Sequence, residues 1–415
     1  MRRPGRILTP RGRTLLAVGV LGCVATAIVG QADLVWIAAL ALALPVVAAG
    51  AVLVRRPTLE VSRSIAPART QAGMPVTVQL MVRNARRIGT GPVQCEEVLP
   101  TTFGERPRFS LGGLSAGHEQ HVSYPLLPTL RGHYQLGPLL VGSLDPMGLA
   151  TAGRAAGGTS DLWITPPVVP LEPLRAAATG VSGQTMVQRA GLLEPDDVLV
   201  REYRPGDDVR HVHWRTTAHH GELMVRREEQ GWDPLAVLLL DSRAAAHTGT
   251  GPSASFEWAV SATASIGLHL LSQSYRLQVM DVEGQVLAGD DQDRQLDAEA
   301  LLEAMTVQQL SARRTLDLAE GFGRGRWDLL VGVLGRLTAA DATTLARAGQ
   351  GVSGALAFVL DASSFATAGW GTREEQLRQE TARILVDGGW QVVPVGRDTT
   401  VPDAWLAADE AVSVH

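Results

Sequence analysis

Residues 201–229 hold the densest group of side chains that could do chemistry. They read REYRPGDDVRHVHWRTTAHHGELMVRREE and contain six arginines, six acidic residues and four of the chain's 10 histidines. His211 and His213 would share one face of a strand, and imidazole and carboxylate groups are zinc ligands. The stretch therefore permits a metal-dependent hydrolase built from Asp207, Asp208, His211, His213 and His219.

The same stretch also has a structural interpretation. Pro205-Gly206-Asp207 favours a tight turn, because proline presets φ and glycine permits positive φ. The alternation in residues 209–214 has the period of a strand, so guanidinium and carboxylate groups could pair across two strands. Asp207 would cap the turn, Arg210 would bridge to acidic residues and Trp214 would pack against a sheet. With no cysteine and no H-E-x-x-H sequence here, we favour this charged network over a metal site. A third hypothesis is a pH sensor made of His211, His213, His219 and His220.

The order of these residues resembles the signature of the domain of unknown function 58 (DUF58) family, Y-x-x-G-D-x-x-R-x-x-x-W-x-x-[ST]-A-[RH]. The pattern falls on Tyr203, Gly206, Asp207, Arg210, Trp214, Thr217 and Ala218, and His219 stands where the family more often has arginine. The segments 131–134 and 145–149 resemble other stretches of the family. The resemblance implies a membrane-anchored protein with a von Willebrand factor A-like domain and a MoxR-type AAA+ ATPase as its partner.

The composition excludes several functions. The formal net charge is −5, whereas a nucleic-acid-binding domain would show a basic excess. All 37 basic residues are arginine, so the chain has no P-loop lysine, no Schiff-base lysine and no Ser–Lys dyad. Cys23 and Cys95 make no disulfide framework and suit a reducing cytosol. We expect no nucleic-acid partner, no cofactor and no small-molecule substrate.

The first part of the chain has the pattern of a membrane hairpin. Residues 1–13 contain five arginines and no acid, and residues 14–30 and 34–54 are uncharged. As helices they would be roughly 25 and 31 Å long, against about 30 Å of hydrocarbon. Arginines outside both ends predict that both termini and the soluble domains are cytoplasmic. One alternative is a signal peptide cleaved near Ala25-Thr26-Ala27, and another is an envelope or secreted binding module, which requires the opposite orientation.

Residues 57–165 predict a β-sandwich-like domain with a spacer or binding role. Short apolar or alternating runs separated by turn residues place its strands at 59–65, 76–83, 93–99, 120–126 and 133–141. Residues 151–195 are rich in Gly, Ala, Pro and Thr, which predicts a linker; we place its boundary at 166, so that the linker is 166–195 and the signature segment is 196–232.

Residues 233–415 alternate between strand and helix patterns. Such alternation with apolar strands predicts a doubly wound α/β sheet of the von Willebrand A-like type. We predict strands at 235–240, 277–280, 329–334, 355–360 and 392–395. The predicted helices are 255–271, with Ser255 as N-cap, followed by 296–305, 339–347 and 373–386.

The residues after the strands are the candidate ligand-binding positions of such a sheet. A von Willebrand A-like domain has D-x-S-x-S after its first strand, where it holds a divalent cation. Here Asp241 matches, but Arg243 and Ala245 replace both serines. We expect a degenerate metal-ion-dependent adhesion site, which is either a structural salt bridge, since Arg243 could pair with Asp241, or a metal-independent contact surface. Asp361-Ala362-Ser363 also follows a strand and predicts an Asx-turn or helix N-cap. We interpret the chain as a membrane-anchored, non-enzymatic interaction adaptor.

Overall fold

The structure is a computed structural model that describes residues 7–54, 58–173, 200–202, 217, 224–226, 234–289, 295–318, 327–366 and 372–412. The chain forms two compact units, Met1–Thr165 and Pro166–His415.

Unit 1 begins with two long apolar helices, α1 (Pro10–Val29) and α2 (Ala32–Val54). Thr9 caps α1 by accepting a hydrogen bond from the Gly12 backbone, and Gly30 ends it in the left-handed conformation. The helices pack as an antiparallel pair, and Gly19 lies so close to Leu42 that a Cβ there would be 2.8 Å from its Cγ. Both helices are long and apolar enough to cross a membrane. The two predicted apolar helices are present, except that α1 begins earlier because Thr9 caps it and Pro10 is its first residue.

The rest of unit 1 is rich in sheet. The strands are β1 (Leu59–Ala66), β2 (Arg69–Gln71), β3 (Val76–Asn84), β4 (Val93–Glu97), β5 (Arg108–Leu111), β6 (Glu119–Leu126), β7 (Gly132–Leu136), β8 (Leu139–Leu144), β9 (Thr151–Ala156) and β10 (Ser160–Thr165). They form three small sheets with the orders β1–β3–β6, β2–β10–β7 and β5–β4–β8–β9. The three sheets share one buried core, to which β3 contributes Val78, Leu80 and Val82.

Two predictions in this region need correction. The predicted strand 133–141 is divided into β7 and β8, because Gly137 takes a positive φ before Pro138. The composition of residues 151–165 suggests a linker, but these residues form β9 and β10, in agreement with the boundary placed at 166. Small residues suit β9 because Gly153 pairs directly with Gly142 of β8.

Unit 2 contains a six-stranded sheet with the order β15–β14–β13–β16–β17–β18. All neighbours are parallel except β14 and β15. Counted within this sheet the order is 3-2-1-4-5-6, which is a doubly wound arrangement. A separate ladder pairs β11 (Val200–Glu202) with β12 (Met224–Arg226). The sheet strands are β13 (Leu235–Leu240), β14 (Arg276–Asp281), β15 (Val286–Ala288), β16 (Leu329–Leu334), β17 (Gly354–Leu360) and β18 (Gln391–Val395).

Helices cover both faces of this sheet, because successive strand residues point to opposite sides. Leu238 and Leu240 belong to one buried cluster, and Val237 and Leu239 belong to the other. The first cluster includes residues of α3 (Ser255–Ser272), α4 (Ala298–Val307) and α7 (Val401–Val412), and the second those of α5 (Ala339–Ala348) and α6 (Thr372–Asp387).

The predicted strands and helices of unit 2 are present, but three details differ. Ser255 is the first residue of α3 and does not cap it; Ala254 precedes the helix and provides no side-chain cap. The short edge strand β15 and the last helix, α7, were not predicted. Helix α7 is part of the fold because Trp405 is buried and donates a hydrogen bond of 2.7 Å to the carbonyl of Glu172.

Candidate functional site

A pair of short strands lies within the signature segment. β11 and β12 are antiparallel and Glu202 pairs with Met224, so these two residues lie side by side. Of the predicted signature residues only Thr217 is described, and it is helical. The other predicted residues lie outside the described part of the chain, both in the signature (Tyr203, Gly206, Asp207, Arg210, Trp214 and Ala218) and in the hydrolase hypothesis (Asp208, His211, His213, His219 and His220).

The reversal of strand order in the six-stranded sheet lies between β13 and β16, and Asp241 is placed there. Asp241 follows β13, and its backbone N–H donates to the Val333 carbonyl of β16 at 3.0 Å. Its carboxylate is fully buried and accepts a hydrogen bond of 3.2 Å from the backbone N–H of Gly335. Open α/β sheets bind ligands at this point. The sequence-predicted residue is therefore at the position where chemistry would be expected.

Arg243 fills this position with its own guanidinium group. Its Nε donates to Oδ1 of Asp241 at 2.9 Å and its Nη2 donates to Oδ2 at 2.8 Å. Its Nη1 donates to Asp341 at 3.0 Å, and the arginine side chain is only 3% exposed. The predicted Asp241–Arg243 pair is present. Two carboxylates share one buried guanidinium, and we call Asp241, Arg243 and Asp341 the buried triad.

Asp341 is the member of the buried triad that sequence reasoning missed. It lies 98 residues after Arg243 and comes from the first turn of α5. There it forms a capping box with Thr338, whose side chain accepts from the Asp341 backbone while the Asp341 carboxylate accepts from the Thr338 backbone. The sequence T-x-x-D contains a signal for that cap. It contains none for the contact with Arg243.

The charges of the buried triad stabilise one another. Burial alone would lower the pKa of Arg243, but the hydrogen bonds and charges of Asp241 and then Asp341 outweigh it and raise that pKa. Burial would likewise raise the pKa of Asp341, but hydrogen bonds from the Thr338 backbone and from Arg243 lower it. Arg243 and Asp341 are therefore both ionised at neutral pH.

His247 and Ser255 hold the loop that follows the buried triad. Imidazole Nε2 lies 2.6 Å from the Asp241 carbonyl oxygen, and Nδ1 lies 3.1 Å from Ser255 Oγ. The Ser255 hydroxyl also donates to the Thr248 carbonyl and accepts from the Thr248 backbone. Burial lowers the pKa of His247, which keeps the ring neutral. These contacts fix the loop and leave the hydroxyl engaged with the backbone.

A small cavity of about 90 Å³ lies further along the same edge, where β16 and β17 end. Its wall carries half-exposed charges. Arg336 donates to Glu374 at 2.9 Å, and Arg378 lies 2.6 Å from Glu375 and 3.6 Å from Asp361. We call Arg336, Asp361, Glu374, Glu375 and Arg378 the charged rim. Asp361 accepts a hydrogen bond from the Ser363 backbone at 3.1 Å. The predicted Asx-turn is therefore confirmed, and the N-cap alternative is wrong because α6 begins only at Thr372.

Neither the buried triad nor the charged rim has the form of a cation site. Among the residues that the structure describes, no group of three or more His, Cys, Asp or Glu side chains is placed to hold a metal ion. At Asp241, Arg243 takes the place that a cation would need, since both carboxylate oxygens accept hydrogen bonds from its guanidinium group.

Comparison with known families identifies one part of the chain. Residues 199–298 match the family described as "Protein of unknown function DUF58". The match includes the signature and continues through β13, α3 and β14 to the first residue of α4. The predicted resemblance is confirmed, and the chain carries a DUF58 segment.

Comparison with other proteins adds little. No curated protein matches the chain. A CARDB domain from Pyrococcus furiosus, solved with di-metal ions, is 17% identical, covers 26% of this chain and 93% of that one, and has a TM-score of 0.20. A DNA-bound alkylpurine DNA glycosylase from Pseudomonas fluorescens is 13% identical, covers 37% and 45%, and has a TM-score of 0.18. A β-glucosidase from Listeria innocua is 18% identical, covers 25% and 16%, and has a TM-score of 0.15. At such TM-scores these likenesses carry no argument about fold or function.

Proposed function

We propose that this chain, which carries a DUF58 segment at residues 199–298, is a membrane-anchored, non-enzymatic adaptor that binds a partner protein. Helices α1 and α2 form the anchor, and unit 2 provides the binding surface. The resemblance suggests a MoxR-type AAA+ ATPase as partner, with a chaperone-like or assembly role.

The buried triad is the observation that carries this proposal. A doubly wound sheet binds a ligand or cation where its strand order reverses, and here a guanidinium of the chain itself occupies that place. A cation would have to displace Arg243 from two carboxylates, and breaking such a buried pair costs about 3–5 kcal/mol. The strand order and the position of Asp241 support a von Willebrand A-like domain with a degenerate adhesion site. Such a domain would act through its surface.

The charged rim supports that surface role. Its arginines are partly exposed, 41% for Arg336 and 36% for Arg378, and they alternate with carboxylates. Exposed ion pairs of this kind contribute little to stability, about 0–1 kcal/mol, so they can exchange partners at low cost. Together with the signature residues of the DUF58 segment, the charged rim forms the proposed contact surface.

The charge pattern supports a cytoplasmic position for unit 2 and for the β-rich region of unit 1. Arginines in residues 1–13 and Arg55-Arg56 flank the two apolar helices, and the short turn between the helices has none. A reporter fused after His415 tests this orientation. Activity restricted to the cytoplasm is expected, and activity only outside it would refute the orientation.

Co-purification from membranes, with and without ATP, tests the adaptor function. The intact chain is compared with Arg210→Ala/Trp214→Ala and with Arg336→Ala/Arg378→Ala. The control is Arg347→Ala/Arg383→Ala, which removes the same charge from the far ends of α5 and α6. An AAA+ ATPase that is retained by the intact chain and the control, but lost from the other two, is the expected result. Equal recovery with all four proteins would contradict the proposed surface.

A further inference from the structure

Two loops of unit 1 are attached to the same end of the helix pair. The loop after β3 reaches the end of α2, where Arg86 Nη1 donates to the Val54 carbonyl at 3.1 Å and Nε donates to Thr58 Oγ1 at 3.2 Å. The loop between β8 and β9 reaches the start of α1, where the Thr9 N–H donates to the Leu149 carbonyl at 2.9 Å and its hydroxyl donates to Gly148 at 2.6 Å. The β-rich region therefore meets the helix pair where α1 begins and α2 ends, and Leu149, Ala150 and Ala152 pack with Ala48 and Val52 in the last two turns of α2.

Each loop carries a large exposed apolar side chain. Ile88 is 76% exposed and Met147 is 63% exposed. Neither loop is loosely held. Buried Asn84 donates to the Ile88 carbonyl at 2.9 Å and accepts from the Arg86 backbone at 3.0 Å. Buried Asp145 accepts from the Met147 backbone at 3.0 Å. The exposed apolar groups are thus presented on fixed loops.

Arginines surround these apolar groups. Arg86 and Arg87 precede Ile88, and the guanidinium of Arg11 in the first turn of α1 lies beside Gly148. Arg86 also suits the negative end of the α2 dipole. Apolar side chains flanked by basic ones are the pattern of a surface that enters the interfacial layer and binds anionic headgroups.

The opposite end of the same strands has a matched pair of apolar residues. Met74 is 56% exposed and Leu127 is 61% exposed. They lie at the start of β3, since Val76 pairs with Leu126 and the Gly73 N–H donates to the Pro128 carbonyl. β3 runs over nine residues from Val76 at this end to Asn84 at the other, a distance of roughly 26 Å. Exposure alone therefore does not single out Ile88 and Met147; their attachment to the helix ends does.

We propose that the loops 85–91 and 145–150 form a lipid-binding face, in which Ile88 and Met147 enter the membrane interface and Arg11 and Arg87 bind the phosphates of anionic headgroups. This inference rests on the proposed membrane insertion of α1 and α2. Its occupant is the bilayer, because the face continues directly from two helices of membrane-spanning length. The face would fix the β-rich region on the membrane surface, beyond the tether that the helices supply.

Fluorescence quenching by lipid-attached nitroxide tests the proposal on the full chain in phosphatidylcholine vesicles containing phosphatidylglycerol. In a Cys23→Ala background, where Cys95 is buried, an environment-sensitive fluorophore is attached after Ile88→Cys, Met147→Cys, Met74→Cys, Leu127→Cys or Leu21→Cys. A nitroxide near the headgroup should quench positions 88 and 147 several-fold more than positions 74 and 127. Equal quenching at all four, with position 21 in α1 strongly quenched by a second nitroxide placed near the end of the acyl chain, would overturn the lipid-binding face and leave the anchor intact. No quenching of position 21 by that acyl-chain nitroxide would instead refute membrane insertion.

The headgroup preference is tested by moving the nitroxide from phosphatidylcholine to phosphatidylglycerol. At position 88 the phosphatidylglycerol quencher should act more strongly, and Arg87→Gln should reduce that preference by about fivefold. Arg347→Gln, on α5, is the control and should leave it unchanged. Equal quenching by the two lipids in the intact chain would refute the anionic part of the proposal.

Discussion

Each unit contains a buried arginine side chain paired with a buried carboxylate, Arg63 in unit 1 and Arg243 in unit 2, but the two clusters differ in geometry. In unit 2 the Arg243 fork meets both oxygens of Asp241 and reaches Asp341 as well. In unit 1 the Nε and Nη2 atoms of Arg63 both approach the same oxygen of Glu97, at 2.9 and 2.5 Å. The second oxygen of Glu97 accepts no hydrogen bond from the residues that the structure describes.

This difference decides which effect controls the carboxylate. For Glu97 burial is the larger effect and raises the pKa, although Arg63 opposes it. For Asp341 the hydrogen bonds from Thr338 and Arg243 outweigh burial and lower the pKa. A buried carboxylate is held ionised when the hydrogen bonds and charges around it outweigh the cost of its burial. Burial therefore dominates in one cluster and hydrogen bonding in the other, so the two clusters should respond differently to removal of the arginine and to a change of pH.

The largest expected effect follows from removing Arg243. Arg243→Ala leaves two buried carboxylates without their shared guanidinium, and we expect a loss of about 3–5 kcal/mol in the stability of unit 2. Arg63→Ala should cost unit 1 less, because burial outweighs Arg63 at Glu97 and raises the pKa of that carboxyl even with the arginine present. Amide hydrogen exchange of peptides from β13 and β16, compared with those from β4 and β8, measures each unit separately.

Two controls sharpen this result. Arg347→Ala changes an exposed arginine and should stay within about 0.5 kcal/mol of the intact chain. Asp241→Asn/Arg243→Met should recover part of the loss, because it removes charge from both sides of the pair. A larger loss from Arg63→Ala than from Arg243→Ala would show that satisfied geometry does not govern these clusters.

The pH dependence should have opposite signs in the two units. The lowered pKa of Asp341 gives unit 2 stability that is present above the ordinary value of 3.8 and is lost as the pH falls through the folded-state pKa. The raised pKa of Glu97 gives unit 1 a contribution that is present below the ordinary value of 4.5 and is lost as the pH rises through the folded-state pKa. Hydrogen exchange of the intact chain, set against Asp341→Asn and Glu97→Gln across acidic pH, measures both. Slopes of the same sign would contradict the assignment.

The sequence predicts the elements of unit 2 better than it predicts these clusters. Continuous apolar runs such as residues 235–240 and 329–334 mark buried parallel strands, and they stand where the pattern places them. The Asp241–Arg243 pair is also predictable, because its members are two residues apart. The contacts of Arg243 with Asp341 and of Arg63 with Glu97 join residues 98 and 34 positions apart. Nothing local specifies such contacts, since the packing of whole elements brings them together.

Composition misleads in unit 1 for a related reason. Glycine and alanine in residues 151–156 predict a linker, but the neighbouring strand β8 also has a glycine at the point of contact. Pairing along the whole of β8 makes a regular strand from a sequence with little strand propensity, because cross-strand neighbours decide strand formation. Pairing with β8 therefore determines that residues 151–156 form a strand, and their own composition does not reveal it.

A smaller effect is expected at the charged rim. Arg378→Ala breaks half-exposed contacts with Asp361 and Glu375, so we expect a stability change of about 1 kcal/mol or less, weakening further with added salt. Thermal unfolding of the detergent-solubilised chain at low and high salt measures it. A change as large as that of Arg243→Ala would mean that the rim is part of the core of unit 2 and unsuited to exchange partners.

The smallest expected effect concerns divalent cations. Mg²⁺ stabilises only proteins that bind it in the folded state, and Arg243 already satisfies both oxygens of Asp241. Adding Mg²⁺ or a chelator should therefore leave hydrogen exchange at the end of β13 unchanged in the intact chain. Arg243→Ser checks the sensitivity of the measurement, because it exposes two carboxylates to a cation and restores one hydroxyl of the D-x-S-x-S order. Protection by Mg²⁺ in the variant alone would show that the guanidinium takes the place of the cation, whereas protection in the intact chain would show that a cation displaces Arg243 and that unit 2 resembles a metal-dependent domain after all.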